Sequence, residues 1–147
     1  MVNLFVLDTN AIISYFNRIF NKGSSISESS LQIIEKAFFY ENEVKISIPS
    51  IIFIEIFDKF CLNEELTKKI RYEIYLPIKE KENFEIRELD KEIIEHSLKL
   101  DDSIVNLESH DKIVLASALT LSCRLITSDK KIIKYIKKTK CLSNFLD

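Results

Sequence analysis

The sequence predicts an α/β fold built on a mostly parallel central sheet of four to five strands, with helices on both faces. Three observations lead there. Short apolar runs bounded by polar residues alternate with segments of helical periodicity along the chain. The first run, Leu4 to Leu7, is continuous rather than alternating, as expected of a strand covered on both sides. Gly23, Pro49 and Pro77 are the only glycine and prolines, too few for an all-β fold of tight turns or for a glycine-rich phosphate loop.

The elements follow in order. Val2 to Leu7 is a strand that runs into Asp8, and Ala11 to Phe20 is a first helix, with Ile12, Ile13, Phe16, Ile19 and Phe20 at helical spacing. Asn21 to Ser30, rich in serine, is a loop before a helix from about Leu31 to Tyr40. Val44, Ile46 and Ile48 alternate with Lys45 and Ser47 as a second strand, and Pro49 opens a helix over about Ser50 to Phe60. A helix from about Asn63 to Tyr75 is expected to end near Pro77, whose ring cannot continue it. Phe84 to Leu89 is a third strand, and Asp90 caps a helix through Leu100. His110 to Ser122 is a strongly amphipathic helix, Arg124 to Thr127 a fourth strand, and Ser128 or Asp129 caps a last helix.

Composition narrows the class. A chain of 147 residues fits one domain, taken as 1–147, and buries ~70% of its unfolded surface. The 46% apolar and 30% charged fractions are those of a globular protein, and no apolar run approaches a membrane span. The opening apolar run stops at Asp8 with no basic region before it, so no signal peptide is expected. Cys61, Cys123 and Cys141 are odd in number and lack C-x-x-C spacing, which reads as reduced core thiols in a cytoplasmic protein and not as a disulfide frame or zinc site. A net charge of −2 leaves no global basic footprint, so a nucleic-acid partner has to be met by a local patch.

Four acidic residues carry the functional signal. Taken singly, Asp8, Asp111 and Asp129 each read first as ordinary helix-start residues, and Glu55 has the bland alternative of an i,i+4 pair with Lys59. Glu55 is the hardest to dismiss, because it lies in IIFIEIF, where a buried carboxylate without a partner is costly. Taken together, three sit at strand exits or helix starts and Glu55 follows one turn after another strand exit. In a parallel sheet those junctions share the carboxyl edge, where ligands bind. Four carboxylates that close raise one another's pKa values unless a cation is present, and hard divalent cations such as Mg²⁺ prefer oxygen ligands.

At these motifs the chain resembles the PIN-domain nucleases, and in size the VapC-type toxins of bacterial and archaeal toxin–antitoxin pairs. LDTNAII resembles the family's opening D-T-N motif, SIIFIE its Ser/Thr-led helix with an internal Glu, HDKIVLASAL its H-D-x-x-I-x-A-x-A, and LITSDKKI its L-x-T-x-D. The resemblance implies a PIN-like three-layer α/β/α sandwich. It makes Asp8, Glu55, Asp111 and Asp129 the acidic metal-binding and catalytic quartet, with Asn10 and Thr127 or Ser128 holding the carboxylates in place. It implies metal-assisted hydrolysis of RNA by Mg²⁺ or Mn²⁺ held chiefly by Asp8 and Asp111, with 5′-phosphate and 3′-hydroxyl products. It further implies an antitoxin protein partner and a homodimer. Two departures stand out: a longer stretch between Asp8 and Glu55, and Lys112 where a small residue is usual, read here as facing solvent.

His110 reads as a structural neighbour of the site more readily than as a general base, and His96 more so. Lys130, Lys131 and Lys134, with Lys137, Lys138 and Lys140, form a basic cluster directly after Asp129, either a solvated helix face or an RNA-backbone track. The alternative function is a non-catalytic PIN-fold module that binds RNA or protein. A phosphoryl-transfer enzyme or receiver domain is disfavoured, since the first strand carries neither D-x-D nor an acidic pair.

Overall fold

The structure, a computed structural model, describes residues 2–39 and 43–142 and the strand residues 145–146. Among the described residues, five parallel strands form one sheet in the order β3-β2-β1-β4-β5: β1 (Asn3–Leu7), β2 (Val44–Pro49), β3 (Phe84–Arg87), β4 (Arg124–Ile126) and β5 (Phe145–Leu146). Phe5, Val6 and Leu7 of the central strand are at most 2% exposed, as the unbroken apolar run requires. Helices cover both faces in an α/β/α sandwich. Successive connections step outward from β1 to β2 to β3, then cross back to β4 and on to β5. With right-handed crossovers, that reversal distributes the helices over the two faces and opens a crevice at the carboxyl ends of β1 and β4, where the direction of winding changes.

The helices are α1 (Thr9–Tyr15), α2 (Asn17–Phe20), α3 (Glu28–Phe39), α4 (Ile51–Phe60), α5 (Glu64–Ile70), α6 (Leu76–Glu80), α7 (Lys91–Leu98), α8 (Ser109–Leu121) and α9 (Lys130–Thr139). The expected first helix is broken at Phe16, whose backbone (φ −97°, ψ 35°) ends α1 and starts α2. Its ring packs edge-on against Tyr15 and Phe38, so aromatic packing takes the place of a straight helix. Helix α3 begins three residues earlier than expected because Ser27 caps it, accepting the backbone N–H of Ser30. The expected end of that helix, Tyr40, lies outside the described residues.

Pro77 does not end its helix. The chain passes from α5 through one π-helical turn, Arg71–Tyr75, and α6 continues to Glu80. The wider turn, in which Leu76 N–H reaches back to the Arg71 carbonyl, gives the proline ring room and absorbs its missing donor. Ile70, Ile74 and Ile78, spaced by four and at most 1% exposed, form one buried stripe through the turn. Burial of Ile78 thus carries the helix past the residue that should stop it.

The three cysteines are free thiols, half-buried rather than deep in the core, and burial pushes the Cys123 thiol up to about 11. No helix among the described residues is long and apolar enough to cross a membrane.

Candidate metal centre

Asp8 and Thr127 stand immediately beyond the adjacent ends of β1 and β4, at the reversal of the sheet. Asp8 is 3% exposed; its Oδ1 accepts the backbone N–H of Thr9 and its Oδ2 the hydroxyl of Thr127, each over 2.7 Å. The Thr127 hydroxyl also accepts the backbone N–H of Asp129 at 3.0 Å, so one buried oxygen spaces two of the acids. Asp129 then caps α9 through Oδ1, which accepts from the N–H groups of Lys131 and Ile132. The cap readings of Asp8 and Asp129 therefore hold alongside their place in the cavity.

Helix α4 leaves the end of β2 and brings Glu55 to the same edge after one turn. Its Oε2 accepts the hydroxyl of Thr9 at 2.5 Å and its Oε1 meets Lys59 Nζ at 2.6 Å, so the i,i+4 pair exists as well. Asp111, in the first turn of α8, is 6% exposed. His110 Nε2 lies 3.3 Å from Asp111 Oδ1 and 3.5 Å from Glu55 Oε1, between two of the acids.

One cavity of about 320 Å³ is lined by all four acids. Thr9, Asn10, Lys59, Glu108, His110, Lys130 and Lys131 complete its wall. Among the described residues, the donors that lie within 4.8 Å of one another belong to Glu108, His110 and Asp111. Glu108, exposed and three residues before Asp111, was not anticipated from sequence.

The electrostatics follow from this arrangement. The pKa of Asp8 is raised, first by burial; its bonds from Thr127 and Thr9 oppose the rise, and the charges of Asp129 and Glu55 add to it. Asp111 is pushed up to about 7, first by burial, then by Asp129; His110 opposes this, and Asp8 and Glu55 contribute less. Glu55 goes the other way: burial would raise it, but Lys59, Thr9 and His110 together bring it below the ordinary value. A site with two buried acids held up in this way gains most from a cation. Its donor set, carboxylate oxygens with one imidazole at the edge, fits Mg²⁺ or Mn²⁺.

The other predicted residues fall as follows. Among the described residues Asn10 donates no hydrogen bond to the four acids; its neighbour Thr9 does, to Glu55. Ser128 pairs with Ser25 at 2.8 Å instead of a carboxylate, which pins the serine-rich loop beside the site. Lys130 and Lys131 line the cavity, whereas Lys134 is exposed farther along α9. Lys112 does not face solvent freely: it pairs with Asp102 at 2.7 Å. His96 is bonded to Thr120 through Nδ1 at 2.7 Å. Thr9 was missed because it sits beside Asp8 and reads as a cap; its hydroxyl within the D-T-N run was the available signal.

The fold and site thus define a parallel-sheet α/β domain with an acidic cavity at its topological switch point. Residues 5–138 match the family model described as PIN domain, and the chain belongs to the PIN-domain family. Its fold is similar to VapBC2 from Rickettsia felis bound to a DNA fragment from their promoter, with TM-score 0.67 and 17% identity over 98% of this chain and 99% of that one. It is also similar to FitAcB from Neisseria gonorrhoeae (TM-score 0.66, 14% identity, 97% and 96% covered). VapBC-1 from nontypeable Haemophilus influenzae is a third such structure (TM-score 0.63, 20% identity, 98% and 97% covered). No curated protein sequence matches the chain.

Proposed function

We propose that this protein is a divalent-metal-dependent endoribonuclease and the toxin of a toxin–antitoxin pair. The observation that carries the nuclease reading is the convergence of Asp8, Glu55, Asp111 and Asp129 on one cavity at the carboxyl edge of the sheet. Asp8 and Asp111 are the principal metal ligands, with Glu55 and Asp129 acting directly or through water. A bound Mg²⁺ or Mn²⁺ supplies an acidified water and offsets the charge that develops on the phosphate.

The chain's own groups supply position. Thr127 fixes Asp8 and spaces Asp129 from it. Thr9 fixes Glu55, and His110 stands between Glu55 and Asp111, where it orients both. Lys130 and Lys131, on the cavity wall, hold RNA phosphates beside the acids and offset their field; Lys134 extends that track along α9. Hydrolysis leaves a 5′-phosphate and a 3′-hydroxyl.

The toxin role rests on the similar structures, among them one more, with TM-score 0.56 and 23% identity over 93% of each chain, that is named a toxin–antitoxin complex from Klebsiella pneumoniae. A homodimer is supported by exposed Ile54 and Phe57 on α4 and Ile94 and Leu98 on α7. These helices border two grooves that share Ser109 and Ile113 of α8, an apolar surface suited to a second copy. The test is cleavage of single-stranded RNA and DNA oligonucleotides of the same sequence with Mn²⁺ or with EDTA. RNA cut only with the ion supports the proposal. RNA bound but left intact under every condition supports a non-catalytic binding module.

A further inference from the structure

Both oxygens of Glu55 are engaged, by donors of very different freedom. Oε2 receives the hydroxyl of Thr9, which is 3% exposed and held in the first turn of α1 next to Asp8. Oε1 faces Lys59 Nζ at 2.6 Å, and the Lys59 side chain is 57% exposed. The same ammonium lines the cavity and feels the charges of Glu108 and Asp111. Glu55 differs in this from Asp8, whose two partners are a hydroxyl and a backbone N–H.

A divalent cation cannot take Oε1 while an ammonium sits 2.6 Å from it, because the two charges repel at contact distance. Thr9 cannot yield, being buried at a helix start, whereas a lysine on a flexible four-carbon stem can. Resting on the metal-site reading above, we propose that Lys59 is a built-in competitor of the metal. Its ammonium holds Oε1 of Glu55 and must leave before Glu55 can ligate through that oxygen, and this sets the ion concentration at which the site fills. Glu55 is then the last of the four acids to join the metal, and Lys59 acts through it as a positioning residue.

The test is calorimetric titration of Mn²⁺, without RNA, into the wild type, K59M, K59R, E55Q, the E55Q/K59M double variant and D111N. Displacing an exposed ion pair makes K59M bind Mn²⁺ about fivefold more tightly. K59R, which keeps the charge, stays near the wild type, and K59M has no further effect once Glu55 is Gln. Unchanged or weaker binding by K59M overturns the inference. So does the same tightening in the E55Q background, which reports only the general field of one positive charge. If the wild type binds Mn²⁺ and D111N does not, while K59M changes nothing, this inference alone fails. A wild type that takes no Mn²⁺ overturns the metal site and this inference with it.

Discussion

The hydroxyl of Thr127 donates to Asp8 Oδ2 over 2.7 Å while accepting the backbone N–H of Asp129 at 3.0 Å, so a single oxygen ties the ends of β1 and β4. Thr127→Val keeps the shape and removes both bonds. It is expected to weaken Mn²⁺ binding about 10–100-fold, as for other residues that orient metal ligands, and to lower stability by about 1–2 kcal/mol. Calorimetry and urea melts check the two effects. An unchanged metal affinity would mean that Asp8 is placed by the backbone alone.

Asp8 itself is a carboxylate whose ionised form is disfavoured by burial first and by Asp129 and Glu55 as well. Asp8→Asn removes that charge. The metal-free variant is expected to melt about 2–4 °C higher than the wild type while cleaving no RNA. A fall in the metal-free melting temperature would show that capping of α1 dominates.

The pH dependence follows from Asp111, held up to about 7 from an ordinary 3.8. Between these values the folded state binds the proton more tightly than the unfolded state. The stability tied to that proton is therefore complete below about pH 4, falls as pH rises toward 7 and is lost above it. Melting temperatures in EDTA should decline across that window, and Asp111→Asn should flatten the decline. Mn²⁺ should reverse it, since the metal needs the deprotonated acid. A profile in EDTA that is flat from pH 4 to 7 contradicts the assignment.

Ser47 offers a control away from the site. Its hydroxyl is fully buried in β2 and, among the described residues, has no hydrogen-bond partner. Ser47→Ala should leave cleavage unchanged and stabilise the protein by up to about 1 kcal/mol. Denaturant melts that show a loss above that size would reveal a bond made by this hydroxyl.

The homodimer proposal has its own check. Leu98 is 81% exposed on α7, and Leu98→Lys places a charge on the apolar surface it shares with Ile94. Light scattering should then show a dimer for the wild type and a monomer for the variant. A variant that stays dimeric moves the interface elsewhere.

Much of this architecture was legible in the sequence because the signals were local. The unbroken run from Leu4 to Leu7 marked a covered strand, and Asp90 and Asp129 marked helix starts: Asp90 accepts the backbone N–H of Ile93 and a side-chain donor of Arg87, and Asp129 accepts the backbone N–H groups of Lys131 and Ile132. What was not legible depended on distant packing. Pro77 should stop a helix, yet Ile74 and Ile78 are buried on one stripe and a π-helical turn reconciles the two. The partner of Glu55 was sought one turn away, at Lys59, and found there, but the second partner, Thr9, lies 46 residues back and could be seen only once β1 and β2 paired. Asn10 was expected to orient the carboxylates because the resemblance at the D-T-N motif implies it, whereas the hydroxyl that reaches Glu55 is that of Thr9, a contact made only by distant packing. Lys112 next to Asp111 looked free for the same reason, since Asp102, its partner, is placed by the turn before α8.

The most direct measurement is incubation of the purified protein and of Asp111→Asn with total RNA, with Mg²⁺ or Mn²⁺ and with EDTA, followed by mapping of fragment ends. The account predicts cuts that require the ion, carry 5′-phosphates and disappear in the variant. Cleavage by Asp111→Asn at the wild-type rate, or cleavage that persists in EDTA, would contradict it.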